Sequence, residues 1–216
     1  MKFNIRIVII MLSVFFSLNA VATPVKLNYS LFFGYMKTLY KLDYQQVTTA
    51  FYLVDRESGG VCLLDKVEIV VDNKREKIEF EKKGRLLPFF SENHRKDGAM
   101  IEVETANNQL CDLQVTLMAK TSQLQNINFE KLTVITTQLE GVLRKNAGMV
   151  GKYFLPAYEG LRFKLAVPIE EGTALAQGYQ FAQNGDLLIS NKILQASKKE
   201  ALLNYNVLRI TPWIGK

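Results

Sequence analysis

The sequence predicts a β-rich α+β protein: two antiparallel β subdomains, meander- or sandwich-like, with two amphipathic helices and one inter-strand disulfide. Three observations predict it. Runs of β-branched and aromatic residues with period-two alternation recur between residues 46 and 117 and again between 158 and 214, separated by Asn, Asp and Gly turns. Two stretches, 28–42 and 126–148, instead carry the 3.6-residue spacing of an amphipathic helix. The chain has two cysteines, Cys62 and Cys111, each near the start of a strand-like run.

The N-terminus sets the compartment. Lys2 and Arg6 precede an apolar run over 7–18, and Ala20-Val21-Ala22 is a small-x-small cleavage site. The run is short for a membrane span, which needs about 20 apolar residues. A cleaved signal peptide over 1–22 is expected; the alternative is an uncleaved anchor. No cysteine follows the site, so no lipid is expected on an N-terminal thiol. Removing 22 of 216 residues leaves 194, enough for a real core. The peptide takes two basic residues and no acidic one, so formal charge falls from +6 to +4. That mild charge permits an anionic surface as partner, while no nucleic-acid partner is expected. No later stretch is long and apolar enough to span a bilayer, so the mature chain is expected not to be an integral membrane protein. An outer-membrane barrel is set aside because the strands look short, carry scattered charges and lack aromatic girdles.

The first helix, 28–42, has Phe32, Tyr35, Met36 and Leu39 at i, i+3, i+4 and i+7, with Asn28 or Ser30 as cap. In the strand over 46–54, Val47, Thr49, Phe51 and Leu53 share one face, and the turn 55–60 should fold it into a hairpin with the Cys62 strand. Val67, Ile69 and Val71 alternate up to an Asp72-Asn73 turn, and Ile78 and Phe80 alternate with Lys77, Glu79 and Glu81. Residues 91–98 read as a polar exposed loop. Ile101, Val103 and Thr105 form the next strand, and an Asn107-Asn108 break leads to Cys111, Leu113, Val115 and Leu117. The second helix, 126–148, has Asn128 as cap, Glu130 in its first turn, the stripe Leu132, Ile135, Leu139, Val142 and Leu143, and Gly148 as C-cap. Its single stripe suits packing on a sheet.

Leu161, Phe163, Leu165 and Val167 then alternate with Arg162, Lys164 and Ala166 as far as Pro168. Residues 170–178 suit a short helical turn. Tyr179 and Phe181 lead into Asn184-Gly185, the strongest hairpin signal, with a return over 187–193. After a polar turn at 197–200, the strand 204–214 should place Val207, Arg209, Thr211 and Trp213 on one face and Leu208, Ile210 and Pro212 on the other. The organisation expected is a signal peptide (1–22), an N-terminal α+β meander with the disulfide (23–120), a helix and connection (121–157) and a C-terminal β subdomain (158–216).

Two cysteines in an exported chain allow one pairing, and an oxidising compartment preserves it. A structural Cys62–Cys111 bridge is preferred over a redox pair, because no CxxC spacing occurs. Other chemistry is sparse. The single histidine, His94, lies in the polar loop, so a multi-imidazole zinc site is excluded and a solvated role expected. No nucleophile elbow occurs. Gly151-Lys152 fails as a phosphate loop because Asn146 takes the first glycine position and Tyr153 the Ser/Thr position. Asp72-Asn73-Lys74 and Asn184-Gly185-Asp186 lack the remaining ligands of a calcium loop. No cofactor is expected. The carboxylate pairs Glu102/Glu104 and Glu170/Glu171 keep open a hydrolase. The basic cluster Lys82, Lys83, Arg85, Arg95 and Lys96 is a solvated face or a patch for an anionic ligand.

Several segments resemble a known family: the exported start, Tyr29-Ser30 opening an aromatic helix, Val61-Cys62, Cys111-Asp112-Leu113, Tyr153-Phe154-Leu155-Pro156 with Glu159-Gly160-Leu161-x-Phe163, and Ile210-Thr211-Pro212-Trp213-Ile214. They are similar to domain of unknown function 2987, small secreted proteins of Gram-negative bacteria, over nearly the whole mature chain. The resemblance implies an envelope location and a disulfide, and supplies no activity or site residues. The function expected is that of an exported, non-enzymatic binding or accessory protein of the envelope, periplasmic or secreted. Its partner would be an envelope protein at an exposed strand edge, or an anionic glycan or lipid headgroup at the basic loops. The alternative is a periplasmic hydrolase using paired carboxylates and a tyrosine.

Overall fold

A computed structural model describes residues 24–106, 109–151, 153–167, 179–196 and 206–215. The signal segment, the Asn107-Asn108 break, Lys152, Pro168, the 170–178 turn with Glu170 and Glu171, and the 197–200 turn lie outside the described residues. The described strands form three four-stranded sheets with antiparallel pairing. In the first, β1 (Val25–Asn28), β3 (Leu64–Val71), β4 (Lys74–Lys77) and β7 (Met100–Thr105) lie in the order β1-β7-β3-β4. In the second, β2 (Val47–Asp55), β5 (Phe80–Glu81), β6 (Arg85–Leu86) and β8 (Cys111–Ala119) lie in the order β5-β6-β2-β8. In the third, β9 (Tyr158–Leu165), β10 (Tyr179–Phe181), β11 (Leu187–Ser190) and β12 (Val207–Ile214) lie in the order β10-β11-β9-β12. The helices are α1 (Ser30–Leu42), α2 (Glu92–Lys96), α3 (Phe129–Gly151) and α4 (Asn191–Ala196). The β-rich, antiparallel α+β architecture with one disulfide is the one the sequence predicts.

Helix α1 begins where the Asn28 side chain accepts from the Ser30 N–H at 2.8 Å, and it ends at Asp43 in a left-handed conformation. Phe32 points inward as its spacing requires, together with Phe33, which the predicted stripe omits. Helix α3 starts on Asn128, which accepts from the Lys131 N–H at 2.8 Å, and Leu132, Ile135, Leu139 and Val142 are buried. Gly148, at φ 71°, breaks its helical geometry.

Four local expectations need correction. The 46–54 strand does not form a regular hairpin with the Cys62 segment. One bridge, Val54 to Val61, joins them, and β3 leaves to pair with β7. The neighbouring edge of β2 is taken by the β5–β6 hairpin, with the Leu53 N–H donating to the Gly84 carbonyl at 2.7 Å. Gly84 is required there, since a Cβ would lie 2.8 Å from the Leu53 oxygen. The strand over 77–81 is interrupted because Ile78 turns into the core between β4 and β5. Residues 91–98 contain a short helix, α2, capped by Ser91, whose hydroxyl accepts from the His94 N–H. The return over 187–193 stops at Ser190, where Asn191 donates to the Tyr158 carbonyl and α4 begins.

β12 carries a fifth difference. A register shift between Val207 and Arg209 inserts an extra residue, so Val207 and Ile210 are both buried and Leu208 is 51% exposed. Beyond that bulge, Arg209 and Thr211 alternate with the buried Ile210, as predicted. Apolar side chains gather in two clusters. One joins α3 to the third sheet. The other joins α1 to the first sheet and the outer part of the second, and contains both cysteines.

Candidate functional site: a basic cleft beside β9 and β12

The β9–β12 ladder decides what faces the cleft. Leu161, Phe163, Leu165 and Ile210 point into the core beneath α3, so the intervening positions form the opposite face. Across the ladder Arg209 lies opposite Lys164, Thr211 opposite Arg162 and Trp213 opposite Gly160. Arg162, Lys164, Arg209 and Thr211 border a cleft of about 540 Å³ whose other walls include Thr49, Gln114 and Thr116 of β2 and β8 and Leu143, Asn146 and Ala147 of α3. Asn184 and Asp186 of the β10–β11 turn close one end, with the Asn184 amide donating to the Asp186 carboxylate at 2.9 Å.

Like charges set directly opposite on a sheet are destabilising. The first sheet contains such a pair, Glu68 opposite Glu102, and it is neutralised. Arg75 reaches both carboxylates, at 3.1 and 2.8 Å, while Lys66 and Lys26 take one each. The Lys164–Arg209 pair in the third sheet has no such relief. Neither residue, nor Arg162, joins an ion pair among the described residues. The Arg162 Nε–H and the Thr49 hydroxyl, both at this cleft, are buried without a partner. A buried donor left unpaired is costly, and an anion in the cleft would relieve the repulsion between Lys164 and Arg209.

A second cleft of about 600 Å³ opens on the far side of Arg162, around Glu159, Phe181, Gln183 and Trp213. Arg162, Asn184 and Ile214 border both, so the two adjoin at these side chains.

The residues singled out from the sequence lie elsewhere. Lys82 and Lys83 occupy the β5–β6 turn, and Arg85 on β6 is paired with Glu81 at 2.8 Å. Arg95 lies over the Phe33 ring at 5.1 Å, and Lys96 ends α2. Among the described residues no ion pair or ring contact joins the two groups, and none of the five borders the β9–β12 cleft. His94 departs from the solvated role expected of it: its ring sits edge-on to Tyr29 and Phe89 at 5.8 and 5.2 Å. Cys62, two residues before β3, is bonded to Cys111, the first residue of β8, with Cα atoms 6.5 Å apart.

Of the carboxylate pairs, Glu102 is held below its ordinary range by hydrogen bonds from Lys26 and then Arg75, the reverse of what a general acid needs. Glu104 lies 3.6 Å from Lys66. Burial raises the Tyr158 hydroxyl above its ordinary value, so it stays protonated. Among the described residues no group of three His, Cys, Asp or Glu could hold a metal ion. Arg162 and Lys164 are visible in the sequence only as polar positions of an alternating strand. The signal that marks them is that both positions are basic, as is Arg209 on the strand that pairs with theirs.

No curated protein and no solved structure matches the chain. A family model described as a protein of unknown function matches residues 21–165, which include Arg162 and Lys164 and end before Arg209 and the Ile210–Ile214 segment. With about two thirds of its length matched, the chain belongs to that family, DUF2987.

Proposed function

We propose that this protein is exported to the Gram-negative envelope and binds an anionic ligand in the β9–β12 cleft without transforming it. The observation that carries this reading is the set of Arg162, Lys164 and Arg209, gathered on one sheet face and in no ion pair among the described residues. Opposed cations are an electrostatic cost that a bound anion removes. The basic start, apolar run and small-x-small site support export. Among the described residues no helix is long and apolar enough to cross a membrane. Binding is favoured over hydrolysis by paired carboxylates because this cleft is bordered by three cations and one carboxylate, Asp186.

Chromatography on dextran sulfate tests the proposal. The purified, oxidised protein should elute at higher salt than a variant with Arg162, Lys164 and Arg209 all changed to Gln. A control with Lys82, Lys83, Arg95 and Lys96 changed to Gln removes more charge and should elute close to the unmodified protein. Equal elution of the first variant and the unmodified protein would sink the reading. A larger loss in the control would move the site to the loops.

A further inference from the structure

We infer that the ligand is an acidic saccharide, its anionic group held by Arg162, Lys164 and Arg209 and a sugar ring placed against Trp213; this rests on the anion-binding reading above. The argument is the composition of the two arms that meet at Arg162. The first arm holds three cations with hydroxyl and amide groups around them, one carboxylate, Asp186, and an apolar side that includes Leu143 and Leu155. The second has an indole, a phenyl ring, a carboxylate and two amides: Trp213, Phe181, Glu159, Gln183 and Asn184. Aromatic surface beside several short hydrogen-bonding groups matches a ring with C–H bonds on its face and hydroxyls around its rim. A simple inorganic anion has no use for the second arm, and a neutral sugar leaves the first unanswered.

Trp213 is half-buried and stands opposite Gly160, which presents no side chain to compete for the indole. Gly160 cannot readily be anything else: a Cβ there would collide with the Ile189 carbonyl oxygen of β11. An acidic peptide is the main rival, and the natural way for it to bind is by adding a strand to the outer edge of β12, which pairs with no strand among the described residues but already lies beside β8. That edge is poorly made for it. Pro212 has no N–H to donate, and register shifts flank the middle of the strand at Val207/Arg209 and Trp213/Ile214. The ligand therefore lies on the face of the sheet, where side chains do the recognition.

Trp213 is the single tryptophan in the chain, so its emission reports on the second arm without labelling. The purified protein is titrated by calorimetry and by fluorescence with oligogalacturonate, tripolyphosphate, maltohexaose and oligoglutamate. Oligogalacturonate should bind about tenfold more tightly than the other three and shift the emission. Trp213→Ala should weaken oligogalacturonate by about tenfold and leave tripolyphosphate unchanged. Trp213→Phe should restore most of the loss, which separates stacking from misfolding. The triple Gln variant should lose both oligogalacturonate and tripolyphosphate. The same preference on lipopolysaccharide micelles assigns the saccharide to a lipid headgroup, and its absence there to a soluble polymer; both support the inference. If oligogalacturonate and tripolyphosphate bind alike with Trp213 emission unmoved, the saccharide inference fails while the anion site stands. Oligoglutamate binding as tightly as oligogalacturonate overturns it in favour of a peptide. If no charged probe binds, the anion reading itself falls.

Discussion

The Glu102 side chain is 11% exposed and receives hydrogen bonds from Lys26 and Arg75, each at 2.8 Å. The two cations hold its carboxyl below the usual glutamate value of 4.5. A carboxyl whose pKa is lower folded than unfolded adds stability above its unfolded pKa and loses that contribution as pH falls through the folded value. Glu102→Gln should therefore cost about 1 kcal/mol at neutral pH, a figure kept small because Lys26 is itself exposed. The gap between variant and unmodified protein should close as pH drops below the ordinary glutamate range. Urea denaturation at a series of pH values measures it, and a gap that stays constant into acid removes Glu102 as the cause. At this scale the cysteine bridge was legible, because two thiols admit one pairing. The cleft cations were not, because a basic residue on a strand's polar face looks the same whether it meets solvent or a ligand. What distinguishes Lys164 is Arg209 opposite it, 45 residues further along, and no local spacing encodes that partner.

Helix α3 contains a glycine that its own propensity argues against. Gly141 should cost about 1 kcal/mol relative to Ala in a helix interior. Its reason is tertiary: a Cβ at 141 would lie 2.6 Å from the Tyr44 hydroxyl and 3.0 Å from the nearest ring carbon, and Tyr44 is packed against the α3 core. Gly141→Ala should fail to deliver the propensity gain and should destabilise by about 1 kcal/mol. In a Tyr44→Leu background, with the ring gone, the same change should stabilise by a similar amount. A double-mutant cycle by urea denaturation reads the difference, and a full gain in the unmodified background would refute the explanation. Elements with strong local signals followed them: the Asn128 cap, the Asn184-Gly185 hairpin with Gly185 at φ 78°, and the Asp72 turn at φ 50°. Where the expectation failed, long-range contacts decided. Nothing near Leu208 announces the bulge that realigns β12 on β9, and α2 is too short for its periodicity to stand out from a polar loop.

Across the whole molecule, strand-rich segments and helices could be placed from the sequence, while the sheet order could not, because partners such as β1 and β7 are separated by most of the N-terminal half. The same long-range pairing ties the two apolar clusters together. β2 and β8 run side by side for nine residues, from Val47 opposite Ala119 to Asp55 opposite Cys111. Val47 and Ala119 belong to the cluster beneath the third sheet, whereas Phe51, Leu53 and Cys111 belong to the other. Helix α1 does likewise, with Phe32 and Phe33 in one cluster and Leu39 and Leu42 against the second. Neither cluster can lose this strand pair and keep its wall, so the two should unfold in a single transition. The disulfide and the tryptophan give a direct test, since Cys62–Cys111 sits in one cluster and Trp213 lies on β12, whose Val207 and Ile210 sit in the other. Closing a loop over 49 residues restricts the unfolded chain by about 4 kcal/mol at most. At a urea slope of about 2 kcal/mol/M, reduction should lower the unfolding midpoint by about 1 to 2 M. The midpoint read from Trp213 emission should fall by that full amount, in step with far-ultraviolet circular dichroism, although the broken bond lies in the other cluster. A Trp213 midpoint that ignores reduction would mean that the β2–β8 pair joins the two cores in space without coupling them in energy.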